Sequence, residues 1–162
     1  MAYRALSPLI VNNFIDSCAF DPKYEPEASD AVEILKLSER GDFQLQIAHS
    51  TQKEIEHPNT PDWVKKQAGG LIYTINVRLN PDDKKLLNDI EVILAGNGKI
   101  ENIKQDAWHV FEAAKYGHYF ITTDNRILSR ADELRSRSRV NVLLPSKFLK
   151  SLKGHMAEQD EA

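Results

Sequence analysis

Cysteine is almost absent from this 162-residue chain: Cys18 stands alone, so neither an internal disulfide nor a cysteine-based zinc site can form. Long apolar runs are missing as well. Stretches such as Leu9-Ile10-Val11 and Val142-Leu143-Leu144 fall far short of the roughly 18 residues a membrane helix needs. The first residues lack the basic, apolar, small-residue order of a signal peptide. Together these absences set a cytoplasmic location, with no membrane partner, as the expectation. Seven glycines and seven prolines, scattered without a period, exclude collagen-like and low-complexity classes. The length is that of one domain with one core.

What is present begins with charge. The net charge is −3, yet residues 1–125 carry 13 Lys and Arg against 19 Asp and Glu, and residues 126–153 carry 8 against 2. A basic segment behind an acidic body suits a phosphate backbone, and it equally suits a solvated helix face.

Short β-branched runs alternate with helical patterns along the chain. A first strand is expected over Leu9 to Ile15. A helix follows, with Ala28, Ala31, Val32 and Leu35 on one face and Gly41 to end it. Phe43, Leu45 and Ile47 alternate with glutamines as a second strand. Thr51 and Pro61 open two short helices, and Leu71 to Leu79 reads as a third strand. Asn80-Pro81-Asp82-Asp83 has the signature of a helix start. Asp106 opens the most regular helix, which Gly117 stops. Tyr119-Phe120-Ile121 is a fully apolar central strand, Val140 to Leu144 another, and Pro145 opens a closing helix. Residues 154–162 read as a polar, mobile tail. The expected fold class is α/β, with a mostly parallel central sheet and helices on both faces.

Ligands of open α/β sheets sit beyond the carboxyl ends of the strands. Four acids fall at such ends or at the helix starts behind them: Asp16, Glu54, Asp106 and Asp124. Each has a plain alternative. Asp16 and Asp124 suit N-caps, Thr51-Gln52-Lys53-Glu54 fits a capping box, and the helix dipole alone favours Asp106. Their coincidence carries more weight. Two carboxylates 4 Å apart repel by about 4 kcal/mol at an effective dielectric of 20. A divalent cation relieves this, and oxygen ligands favour Mg²⁺ or Mn²⁺ over zinc. Open coordination positions then suit phosphodiester hydrolysis.

The same segments resemble a family. Phe14-Ile15-Asp16-Ser17 is similar to the opening motif of PIN-domain nucleases, and Ile47 to Ile55 (IAHSTQKEI) to their strand-then-Glu segment. Asp106 to Asp124 (DAWHVFEAAKYGHYFITTD) follows their pattern of Asp, helical Ala, Gly, apolar strand and Thr-x-Asp. The likeness spans about residues 9 to 149. It implies a PIN-like domain over residues 1–153 and a metal-dependent ribonuclease whose metal-site carboxylates are Asp16, Glu54, Asp106 and Asp124. It also implies supporting hydroxyls at Ser17 and Thr122 and a further contact at Asn125. The implied cofactor is Mg²⁺ or Mn²⁺ and the substrate is RNA, with some of Arg126, Arg130, Arg135, Arg137 and Arg139 on phosphates. A toxin with an antitoxin protein as partner, and a homodimer, belong to the same family-level expectation. A non-catalytic RNA- or protein-binding module and a metal-dependent phosphatase stay open as alternatives.

Other residues have modest readings. Cys18 is expected as a small buried thiol. Glu56 rivals Glu54 but would face away from a pocket that Glu54 enters. His109, one turn beyond Asp106, could approach the pocket, but as one of five histidines it reads as a surface or internally satisfied residue. Trp63 and Trp108 read as packing residues, with base stacking as the alternative.

Overall fold

Phe14 and Phe120 face one way from neighbouring strands while Ile15 and Ile121 face the other, and this alternation sets the layers of the molecule. The computed structural model describes residues 4–72 and 78–161. Within them, β1 (Asn13–Ile15), β2 (Leu45–Gln46), β3 (Tyr119–Ile121) and β4 (Asn141–Leu143) form a sheet of order β2-β1-β3-β4. Every pairing is parallel, with Asn13 opposite both Leu45 and Tyr119, and Tyr119 opposite Asn141.

Helices cover both faces, as a parallel sheet requires. On one side α1 (Glu27–Glu39), α3 (Asp62–Gly69) and α8 (Pro145–Glu161) bury Ile34, Val64 and Phe148 against Ile15, Tyr119 and Ile121. On the other, α4 (Pro81–Ala95), α5 (Lys104–Tyr116) and α7 (Ala131–Ser138) bury Ile90, Phe111 and Leu134 against Phe14, Phe120 and Val142. Two single-turn helices, α2 (Gln52–Ile55) and α6 (Asn125–Leu128), follow β2 and β3 near the carboxyl edge. No helix among the described residues is long and apolar enough to cross a membrane.

Local chemistry explains the element ends. Gly41, at φ 83°, closes α1: its amide reaches Ser38 O and the Asp42 amide reaches Leu37 O, the double bond pattern of a Schellman cap. Asn80 and Asp83 exchange side-chain and backbone bonds as the capping box of α4. Gly117 ends α5 where two segments nearly touch. A Cβ there would lie 2.5 Å from Asn12 O and 2.8 Å from the Phe14 ring. Gly117→Ala is therefore expected to cost about 1–3 kcal/mol, the range for overpacking. Urea denaturation checks this, with an unchanged midpoint as the contrary result.

Several expected boundaries shift. The first strand shrinks to Asn13–Ile15 because the chain before it turns. The buried Asn13 side-chain amide donates to Pro8 O, Val11 O and Gln44 O, tying the turn before β1 to the segment that enters β2. Ile34 takes a core place on α1, whereas Val32 is exposed. Helix α5 starts at Lys104, two residues before Asp106. Residues 154–161, expected as a tail, continue α8 to Glu161. Of the strand expected at Leu71 to Leu79, Ile72 pairs in parallel with Ile47, and residues 73–77 lie outside the described residues.

Candidate metal site at the carboxyl edge

Strands β1 and β3 are neighbours although β2 lies between them in sequence. The chain thus turns from one side of the sheet to the other at their carboxyl ends, and crevices form at such switch points. Asp16 follows β1 directly, and its amide donates to Ile121 O at 2.8 Å. Thr122 to Asp124 follow β3. Parallel pairing therefore brings Asp16 and the Thr-Thr-Asp turn side by side.

Asp16 is buried, and its carboxylate accepts from the Ser17 amide at 2.9 Å and from Thr122 Oγ1 at 2.8 Å. Burial pushes its pKa up, against the opposing pull of His109 and the Thr122 bond, with Glu54 adding repulsion. Thr122 Oγ1 also accepts from the Asp124 amide at 3.0 Å, tying the two strand-end acids together.

Glu54 enters from α2. The capping-box alternative predicts that its carboxylate bonds the amide at the start of its own helix, and it does not. Thr51 makes no side-chain cap. Glu54 instead accepts from Ser17 Oγ at 2.6 Å and pairs through Oε1 with His109 Nε2 at 3.1 Å. Burial raises the pKa of Glu54, but the bonds from His109 and Ser17, with the charge of His109, outweigh it and hold it low. Glu56 points elsewhere, to Gln52, as its two-residue offset from Glu54 requires.

His109 is fully buried on α5. Its Nδ1 lies 2.7 Å from Ser50 Oγ and 3.2 Å from Thr51 Oγ1. Burial disfavours the imidazolium, yet the Glu54 bond and the charges of Asp16, Glu54 and Asp106 raise its pKa overall. Glu112, one turn further along α5 and also buried, accepts from the Ser50 amide at 3.2 Å. A continuous path thus runs from Glu112 through Ser50 and His109 to Glu54 and Ser17. Asp16, Glu54 and His109 each offer a ligand atom, and these atoms lie within 4.8 Å of one another.

Asp106 and Asp124 form a second pair, joined by an arginine. Arg126 donates from one guanidinium nitrogen to Asp106 Oδ2 and to Asp124 Oδ2, both at 3.1 Å. Burial raises the pKa of Asp106, Arg126 opposes, and Asp124 and Asp16 reinforce the rise. Asp124 also caps α6 through the Arg126 amide, so its N-cap reading holds alongside its place in the pair. The four acids therefore form two couples: Asp16 and Glu54, with His109 paired to Glu54, and Asp106 and Asp124, bridged by Arg126. Asn125 is exposed at the start of α6 and takes no part in these bonds.

No family model matches this chain, and no curated protein matches it.

A cavity of about 570 Å³ opens beside the first couple, lined by Ser17, Cys18, Lys23, Glu54, His57 and Thr60 among others. Cys18 corrects its expectation. The residue is exposed, with Sγ turned toward Asp16 Oδ2 and Thr122 Oγ1, 3.4 Å from each. The protein around the sulfur and the Asp16 charge push the thiol up to about 11, so it stays protonated at neutral pH. The arginine segment is mostly neutralised. Besides Arg126, Arg130 pairs with Glu133, Arg135 with Asp132 and Arg137 with Asp89, while Arg139 ends α7 in the left-handed conformation at φ 66°.

Two residues of this network, His109 and Glu112, are not among the site residues expected from the sequence. Their only signal was spacing: Asp106, His109 and Glu112 recur every three residues, so they share one side of the helix.

Proposed function

We propose that Asp16, Glu54, Asp106 and Asp124 hold one or two Mg²⁺ or Mn²⁺ ions and that the protein hydrolyses RNA phosphodiester bonds as a PIN-like ribonuclease. The observation that carries this reading is Glu54. Its carboxylate leaves the amides of its own helix and is held beside Asp16 by Ser17 and His109. The donor set fits the group: carboxylate oxygens dominate, which suits Mg²⁺ and Mn²⁺, and the Arg126 guanidinium already shows that Asp106 and Asp124 jointly hold a cation.

When bound, the metal supplies Lewis acidity, lowering the pKa of a water and offsetting charge that builds on the phosphate. The chain's own groups do the positioning. Ser17 and Thr122 fix one oxygen each of Glu54 and Asp16, which holds both carboxylates in place. His109 holds Glu54 ionised. Arg126, whose side chain is 65% exposed, can leave the second couple when another cation takes its place and then meet a phosphate oxygen. The cavity beside Ser17 and Glu54 gives the reacting nucleotide room. On the family resemblance, a toxin restrained by an antitoxin protein is a special case of this reading.

Cleavage of a fluorescently labelled single-stranded RNA pool in Mn²⁺ tests it. Wild type is expected to cut, EDTA to stop it, and Asp106→Asn to lose more than about 100-fold, beyond the loss typical of residues that merely support metal ligands. Retained metal-dependent turnover in Asp106→Asn would remove that residue from the site.

A further inference from the structure

Four of the five arginines of residues 126–139 are engaged by carboxylates. Among the described residues, lysines without such partners border a second cavity. Helix α2 separates two cavities: Glu54 borders the one described above, and Lys53 and Glu56 border another, since successive residues are turned by about 100° around a helix. The second cavity, of about 670 Å³, lies between α2 and α5, and its walls include Ser50, Lys53, Lys104, Gln105 and Trp108. Both lysines are exposed, and among the described residues neither has a carboxylate within ion-pairing distance. Glu56, the acid on the wall, is bonded to the Gln52 amide at 2.9 Å.

Trp108 is half-buried and braced. Its ring meets Phe111 edge to face, with centroids 5.7 Å apart and planes at 87°. Its place on α5 couples the cavity to the carboxylates, because Asp106 precedes it by two residues and His109 follows it directly. The volume lies within the range of small-ligand pockets, which combine apolar walls with a few polar groups. A fixed indole flanked by two unpaired ammoniums is the combination that nucleotides use: a base on the aromatic ring, a phosphate on the lysines.

We propose that this cavity is a nucleotide subsite, in which a base of single-stranded RNA stacks on Trp108 while Lys53 and Lys104 hold the adjoining phosphate. A base paired within a duplex is stacked on its neighbours and cannot enter, so the subsite selects unpaired RNA. The identity of the ligand as RNA rests on the ribonuclease reading, whereas the subsite's chemistry stands on the cavity itself.

The test reads binding in EDTA, where no turnover occurs. Trp63→Phe leaves Trp108 as the one indole of a chain that has two. Its fluorescence is expected to quench saturably with 5′-AMP and with a 12-nucleotide single-stranded RNA, and not with the matching duplex. Trp108→Leu should weaken RNA binding about tenfold or more. Lys53→Glu and Lys104→Glu are surface changes that leave the fold intact. Each should weaken binding and lower the slope of log affinity against log salt by about one. An indole unquenched by AMP, or RNA affinity and salt slope unchanged in both charge reversals, overturns the subsite. Binding that depends on these residues without cleavage by wild type in Mn²⁺ overturns the ribonuclease reading alone. Cleavage with binding indifferent to them overturns the subsite alone.

Discussion

Mn²⁺ at 100 times its dissociation constant is expected to raise the unfolding midpoint of the wild-type protein by about 5–10 °C and that of Asp106→Asn by far less. The size follows from linkage. A ligand at that excess adds about 2.7 kcal/mol, and a domain of this length gains about 2–4 °C per kcal/mol. The difference between the proteins follows from geometry. Asp106 shares one cation, the Arg126 guanidinium, with Asp124, and an amide in its place supplies one neutral oxygen instead of a charge. Each protein is compared with its own metal-free state. The substitution relieves repulsion by Asp124 and Asp16 but also removes one side of the Arg126 bridge. Equal rises in both proteins would place the metal away from Asp106. No rise in either, across millimolar Mn²⁺, would overturn the metal site.

His109→Leu is expected to lower stability by about 3 kcal/mol, the cost of stranding buried polar groups. Ser50 Oγ, Thr51 Oγ1 and Glu54 Oε1 all lose the partner that now joins them. Urea denaturation at several pH values checks the size and also a sign. The pKa of His109 in the folded protein lies above its ordinary 6.5, so the folded state holds its proton more tightly than the unfolded chain does. The stability this contributes is complete below about pH 6.5 and is lost as pH rises through the raised value. Metal-free wild type should therefore lose stability from about pH 6.5 upward, and His109→Leu should be flatter over that window. The raised pKa values of Asp16 and Asp106 act in the same direction from the carboxylate range upward, so the histidine contribution is read as the difference in slope between wild type and His109→Leu. A wild-type stability that rises across that window would mean that His109 is neutral in the folded state.

Much of the layered fold was legible in the linear pattern. The alternation at Phe43, Leu45 and Ile47, the apolar Tyr119-Phe120-Ile121 run, and the Asn80-Pro81-Asp82-Asp83 start each depend on neighbours a few residues away. Period 2 against period 3.6 resolves them. Boundaries were less legible. The short β1 follows from an asparagine side chain bonding to Pro8 and Gln44, and no local pattern announces that.

The candidate site divides the same way. The sequence by itself determined that acids stand at the ends of strands, because Asp16 follows Ile15 and Asp124 follows the strand at Ile121 in the chain. It also determined that Glu54 and Glu56 face different ways, because helical rotation is a local property. Only the tertiary structure decided which alternative each acid follows. Glu54 and Asp16 are 38 positions apart, and whether Glu54 turns to its own helix amides or to Ser17 depends on the parallel pairing of β1 with β2. His109 joins the cluster for the same reason: α5 packs its His109 and Glu112 side toward residues 50–54. The Arg126 bridge likewise needs Asp106 and Asp124 brought together across 18 residues. Electrostatics and burial act through space, and the distances they act over are set when the sheet closes its central pair.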